Sequence, residues 1–305
     1  MNILFSSDNN YAQHLGVAIY SLLSHNQDAE AVHIYIVDNG ISEDNVNRLN
    51  EMAKAFSNAE VTYISFQKWK DALELDMSWP IALSAYARLF VASMLPASVD
   101  RVLYLDCDMI VNDSLSLLWN FDMKGQTIAA IQDAVGDSVK SAVGLQTQEL
   151  YFNSGMLLID LEAWRKNNCE QKCLDFIQKR KGRVTHHDQG VLNGVFRNAW
   201  TRLPLKYNVM TIHYIFNLNK INKYFKNHAE FYDENEIMDA KINPAIIHFT
   251  PSFTTRPWVK TCKHPLRSFY WENLAKTPWE KTVPECDNNK WIVRFINWRY
   301  RTLPF

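Results

Sequence analysis

The chain has 305 residues, 47% hydrophobic and 21% charged, with a formal net charge of −1. That balance describes an ordinary soluble globular protein with room for one large α/β domain, or for a domain with a smaller appendage. It gives no footing for a nucleic-acid partner, and no apolar run approaches the length of a membrane span.

The charge is unevenly spread. Residues 241–305 carry 11 Lys and Arg against 4 Asp and Glu, and hold five of the ten tryptophans. The 10 Trp, 13 Tyr and 16 Phe suit sugar-stacking faces or an interface, although core packing is their commoner use. Cys107, Cys169, Cys173, Cys262 and Cys286 are odd in number and contain no Cys-x-x-Cys pair, which argues against a disulfide framework or a zinc knuckle. The opening residues carry no basic leader, so a reducing, cytoplasmic setting is expected.

Ile3-Leu4-Phe5 reads as a short buried strand, followed by the turn-favouring run Ser6 to Tyr11. Leu15, Ala18, Ile19, Leu22 and Leu23 then repeat at helical spacing. Val32 to Val37 is a second strand. Ser42 is placed to cap a helix whose apolar stripe is Val46, Leu49, Met52, Ala53 and Phe56. Val61 to Ile64 makes a third strand, and Ser84 to Leu95 a further helix. Such βαβαβ alternation predicts a mostly parallel sheet with helices on both faces.

Val102 to Leu105 is an apolar run that ends abruptly at Asp106 and Asp108. Along an extended backbone these carboxylates project to the same side. They can jointly hold a hard divalent cation at the carboxyl end of the strand, where open α/β sheets bind ligands. Asp-x-Asp also arises by chance at turns and strand ends. The preceding apolar run favours the cation, because burying like charges together is costly without one.

Ile128 to Ile131 and Gly155 to Ile159 read as two more strands, the latter entered through Phe152-Asn153-Ser154. Between them, 133–148 is polar and aperiodic, equally a substrate-contacting loop or a plain connection. A helical pattern runs from Leu161 to Lys179, with Cys169 and Cys173 on one face as small packing residues. His186-His187-Asp188-Gln189-Gly190 opens another helix, whose N-terminus is a natural place to meet an anion or a sugar hydroxyl. Residues 217–243 are polar, with coil or a short helix expected, and Ala245 to Phe249 is a strand carrying His248. From Lys290, basic residues and Trp291, Phe295 and Trp298 alternate at helical spacing. Two readings fit equally: a helix lying on an anionic membrane surface, or one docked on its own domain.

The chain resembles glycosyltransferase family 8, in particular its bacterial lipopolysaccharide and lipooligosaccharide hexosyltransferases. The carrying motifs are Phe5-Ser6-Ser7-Asp8-Asn9-Asn10-Tyr11, Tyr86-Ala87-Arg88, Val102 through Val111, Phe152-Asn153-Ser154-Gly155, Asp188-Gln189-Gly190, and His248-Phe249-Thr250 through Arg256-Pro257-Trp258. The resemblance implies an α/β fold of the GT-A kind, a Rossmann-like sheet flanked by helices over residues 1–258. Residues 259–305 form a small helical, basic, Trp-rich extension. It also implies retaining transfer of galactose or glucose from a UDP-hexose to a saccharide acceptor such as a lipopolysaccharide core, including a lipid-linked one.

Residue by residue, the resemblance sets Ser7, Asp8, Asn10 and Tyr11 at the donor nucleotide, and Asp106, Asp108 and His248 as ligands to Mn²⁺ or Mg²⁺. It places Arg88, Asn153, Asp188 and Gln189 around the donor sugar, Gln189 nearest the anomeric carbon. Asp188 is read as a sugar-hydroxyl partner, with nucleophile as the second option. The family commonly shows a glycine and a lysine between the histidine and Pro-Trp. Here the loop is about two residues longer and lacks the glycine. Arg256 stands at the lysine position, where its guanidinium can grip a diphosphate. Two alternatives compete. One is a haloacid-dehalogenase-type phosphatase, in which an Asp-x-Asp ends the first strand of the domain; the other is a catalytically inactive glycan- or nucleotide-binding protein.

Overall fold

The computed structural model describes residues 1–76, 83–226, 228–251 and 253–286, together with Phe295 and Trp298. The strands are β1 (Asn2–Ser7), β2 (Val32–Asp38), β3 (Ala59–Ser65), β4 (Arg101–Leu105), β5 (Met109–Val111), β6 (Ile128–Gln132), β7 (Phe152–Asp160), β8 (Trp200–Arg202), β9 (Val209–Met210) and β10 (Ile246–His248). Seven of them form one sheet in the order β3-β2-β1-β4-β7-β6-β8, and β5-β10-β9 form a second.

The large sheet is mostly parallel, as its alternation with helices predicts. Strand β7 departs from this, running antiparallel to both β4 and β6. Hydrophobic pattern carries no strand direction, and the 133–151 connection holds only one short helix, Asp137–Ala142, so an antiparallel return is open to it. The outcome is a mixed α/β sheet with β4 at its centre.

Alternate residues of β1 serve two cores, which is why these strands read as continuous apolar runs. Ile3 and Phe5 join Leu15, Ile19 and Leu22 of helix α1 (Ala12–Ser24) on one side. Leu4 joins Val102, Tyr104 and Trp164 on the other. Helix α2 (Glu43–Ala53) starts at Ser42, whose hydroxyl accepts from the Asn45 N–H, so the expected cap is present.

Two expected helices are interrupted. The Ser84–Leu95 segment is helical in three four-residue turns, Leu83–Tyr86, Ala87–Phe90 and Val91–Met94, the middle one a 3₁₀ turn, with Phe90 off the helical well at φ −101°, ψ 14°. The Leu161–Lys179 pattern splits into α3 (Leu161–Lys166) and α4 (Cys169–Lys179) at Asn168, which takes the left-handed conformation that asparagine tolerates. Helix α5 (His187–Phe196) begins where expected. The polar 217–243 stretch holds two helices, α6 (Leu218–Phe225) and α7 (Glu234–Ile242).

Helix α8 (Arg267–Leu274) follows Trp258, and Trp258, Tyr270, Leu274 and Trp279 belong to the same core as α1. A Cβ on Gly16 would stand 2.4 Å from the Trp279 ring, so the indole packs onto bare α1 backbone. The tryptophans at 258 and 279 are therefore packing residues. The basic helix expected from Lys290 lies outside the described residues, apart from Phe295 and Trp298, both exposed with ring centres 5.9 Å apart. Among the described residues, no helix is long and apolar enough to cross a membrane.

His14, His213 and His264 are buried, and burial drives their pKa values from 6.5 down to about 3, 3 and 4. Between those values and pH 6.5 the unfolded chain binds protons that the folded chain excludes. Stability is therefore full above pH 6.5 and falls as the pH drops toward 4, by up to about 1.4 kcal/mol per pH unit for each histidine. Thermal melts at pH 7.5 and 5.0 should show the lower midpoint at pH 5.0, and a His213→Phe variant should show a smaller drop.

Candidate active site

At Leu105 the backbone leaves the large sheet, and at Met109 it enters the small one, so Asp106-Cys107-Asp108 is the step between them. The motif follows the fourth strand in the chain and sits at the centre of the sheet, not after a first strand as in the phosphatase alternative. The Asp106 N–H is held by the Gly155 carbonyl at 2.8 Å. Strand β10 pairs antiparallel with β5 and sets His248 opposite Met109, bringing its ring beside both aspartates. His248 Nε2 is 3.3 Å from Asp108 Oδ1 and 4.0 Å from Asp106 Oδ2. One ligand atom from each of the three residues lies within 4.8 Å of the others.

His248 is 4% and Asp108 7% exposed. Burial holds the His248 pKa down at about 4, against the pull of Asp106, so the ring is neutral near pH 7 and able to ligate a metal. Two carboxylates and a neutral imidazole form a hard, oxygen-rich donor set that suits Mn²⁺ or Mg²⁺ and leaves positions for ligand oxygens.

Arg88 ties this group to Asp188 and Ser154. Its buried guanidinium reaches Asp106 Oδ1 at 2.8 Å, Asp188 Oδ2 at 3.1 Å and the Ser154 carbonyl, and lies 4.1 Å from the centre of the Tyr104 ring. The Tyr104 hydroxyl donates to the same Asp106 oxygen at 2.9 Å. Burial pulls the Arg88 pKa down, but Asp106 and Asp188 together outweigh it and the net shift is upward. Asp188 shifts upward because of burial, although Arg88 and the Ser154 hydroxyl, 2.9 Å away, both favour its charged form.

Gln189 is held at both ends of its amide. Its Oε1 accepts from Asn153 Nδ2 at 3.2 Å and the Ser154 N–H at 3.1 Å, and its Nε2 donates to Asp133 Oδ2 at 3.0 Å. Burial raises the Asp133 pKa against the hydrogen bonds from Asn153 and Gln189. Asp133, in the aperiodic 133–148 stretch, thus joins the cluster through Asn153 and Gln189. It follows the apolar run of β6 much as Asp106 follows that of β4, and this parallel was the available signal. Asn208, fully buried between Asn153 and His248, was also missed, and no sequence pattern marks it.

Ser7, Asp8, Tyr11, Arg88, Asp106, Asp108 and Arg256 line one cleft of ≈ 260 Å³. Asp8 Oδ1 accepts from the Asn10 and Tyr11 N–H groups, fixing the turn after β1. Asn10 is exposed on that turn and is not among the residues lining the cleft. Arg256 also lines the cleft, paired with Asp108 Oδ2 and the Phe249 carbonyl. Burial lowers its pKa, with Tyr11 and Asp106 opposing. The Arg256 loop is tied down by Trp258, which stacks on His14 with ring centres 3.6 Å apart.

The chain is similar to several known proteins. General stress protein A of Bacillus subtilis (strain 168) is 32% identical over 283 residues, covering 92% of this chain and 94% of its own. Lipopolysaccharide 1,2-glucosyltransferase of Escherichia coli (strain K12) is 26% identical, covering 99% of this chain and 85% of its own. A crystal structure of the galactosyltransferase LgtC with donor and acceptor sugar analogues superposes with a TM-score of 0.72 at 26% identity, covering 93% of this chain and 98% of that one, and it makes the fold GT-A. The sequence profile of glycosyl transferase family 8 matches residues 2–262, so the chain belongs to that family.

Proposed function

We propose that this protein is a retaining hexosyltransferase that moves galactose or glucose from a UDP-sugar to a saccharide acceptor, with a divalent cation at Asp106, Asp108 and His248. The convergence of those three side chains, two of which, Asp106 and Asp108, line one cleft with Arg88 and Arg256, is the observation that carries the reading. Its resemblance to lipopolysaccharide glucosyl- and galactosyltransferases supports a lipopolysaccharide core or related surface glycan as acceptor. In this reading the enzyme works on the cytoplasmic face, and the basic segment from Lys290 brings it to an anionic membrane surface and a lipid-linked acceptor.

Gly155 supports the fit to a metal ion. A Cβ there would stand 2.6 Å from His248 Cε1, 2.7 Å from Asp106 Oδ2 and 3.0 Å from Asn153 Oδ1, so the ligands close around a position that admits no side chain. When bound, Mn²⁺ or Mg²⁺ neutralises the charge that builds on the departing diphosphate. The chain's own groups do the rest. Ser7, Asp8 and Tyr11 take the uridine, with Asn10 at the rim of the same turn, and Arg256 exchanges its contact with Asp108 for the diphosphate. Arg88, Asn153 and Asp188 hold the sugar hydroxyls.

Glutamine is a poor nucleophile, so Gln189 offers its amide dipole to the positive charge developing at the anomeric carbon. The acceptor hydroxyl forms the new bond from the face the diphosphate leaves, and its proton passes to the departing phosphate oxygen. The configuration at the anomeric carbon is retained.

UDP release from UDP-galactose and UDP-glucose with Mn²⁺ tests this directly. Asp106→Asn with Asp108→Asn should lower turnover by at least about 10²-fold, and full metal-dependent turnover in that variant would sink the proposal. Gly155→Ala should weaken Mn²⁺ binding by at least about 10-fold by crowding the ligands, read by electron paramagnetic resonance of free Mn²⁺. Unchanged affinity would show that the cradle is not where the ion sits.

A further inference from the structure

We infer that Asn208 is a positioning residue that sets the tautomer of His248, leaving Nε2 as the nitrogen that coordinates a metal ion. The inference rests on the metal reading of Asp106, Asp108 and His248 above. Asn208 lies one residue before β9 with none of its surface exposed. Both ends of its amide are committed, Nδ2 at 2.9 Å from Asn153 Oδ1 and Oδ1 at 2.9 Å from His248 Nδ1.

Amide orientation and imidazole tautomer are assigned from hydrogen-bond networks, not seen in heavy atoms. Here a backbone donor decides both. The Gly155 N–H lies 3.0 Å from one end of the Asn153 amide, and a backbone N–H can only donate, so that end is oxygen. The Asn208 atom facing the same oxygen must be its NH₂ group. The Asn208 oxygen is thereby turned to His248, and an oxygen there needs a donor. The proton therefore sits on Nδ1, and Nε2 is the nitrogen facing Asp108 and Asp106.

A second backbone donor gives the same polarity independently. The Ser154 N–H points at Gln189 Oε1 at 3.1 Å, so the Asn153 NH₂ faces an oxygen there and a carboxylate at Asp133, 3.3 Å away. Asn208, Asn153 and Gln189 thus form one directed chain from Asp133 to His248, and Asn208 joins its sugar side to its metal side. Leucine has similar volume but would leave the His248 Nδ1–H and the Asn153 oxygen without this partner.

Long-range ¹H–¹⁵N spectra of histidine-labelled, metal-free protein, with His248 assigned by its loss in His248→Gln, should show the Nδ1–H tautomer. An Nε2–H tautomer overturns the inference. Mn²⁺ titration followed by electron paramagnetic resonance should find Asn208→Leu about 10–100-fold weaker than the parent. Asn208→Asp keeps an acceptor oxygen toward Nδ1 but sets its second oxygen against Asn153 Oδ1 with no proton to donate, and should fall between the parent and Asn208→Leu. Parent-like affinity in Asn208→Leu, or Asn208→Asp as weak as Asn208→Leu, sinks the idea. Should Asn208→Leu not fold, the parent spectrum decides it. A parent that takes up no Mn²⁺ brings down the metal reading as well, whereas a binding parent with unaffected variants removes the Asn208 role alone.

Discussion

Three carboxylates at the carboxyl end of the central strand, Asp106, Asp108 and Asp188, are drawn together in a largely dry site, and the arrangement around them answers that charge. Arg88 lies between Asp106 and Asp188, and Arg256 caps Asp108. Buried ion pairs add little net stability, yet removing one partner costs about 3–5 kcal/mol, because the other is left uncompensated. The pairs are thus a constraint imposed by the site, and the two well-packed cores on either side of the sheet offset it. Tyr104 belongs to both accounts: its ring fills the core under Arg88, and its hydroxyl reaches Asp106.

Register is the second constraint. The proposed metal ligands come from positions 106, 108 and 248, and only the pairing of Ile246, Ile247 and His248 with Val111, Ile110 and Met109 brings them together. A slip of one residue would turn the whole strand over and remove His248 from the aspartates. The β10–β5 pairing therefore places the imidazole. Trp258 does the same for the loop beyond, since its stack on His14 fixes the stretch that carries Arg256 over the cleft.

What was legible in the sequence follows from which forces leave a local trace. β1, β4 and β6 were readable because burial on both faces writes unbroken apolar runs, and Ser42 because a cap acts within one helical turn. Asp106 and Asp108 stood out as charges where charge is expensive. The direction of β7 was not readable, because antiparallel and parallel neighbours bury the same residues. The break at Asn168 turns on one residue's tolerance of a left-handed backbone, a weaker signal than the helical periodicity around it.

Asn208 shows the limit most plainly. Its role lies in the polarity of hydrogen bonds to residues 55 and 40 positions away, and asparagine beside Tyr207 and Val209 has no pattern to betray it. Asp133 was within reach, since an apolar strand ending in a carboxylate is the same signal that led to Asp106. The difference between the two lies in their surroundings: Asp106 had a second aspartate beside it to make the charge conspicuous. Asp133 has instead the amides of Asn153 and Gln189, contributed by distant strands and helices, and only folding brings them to it.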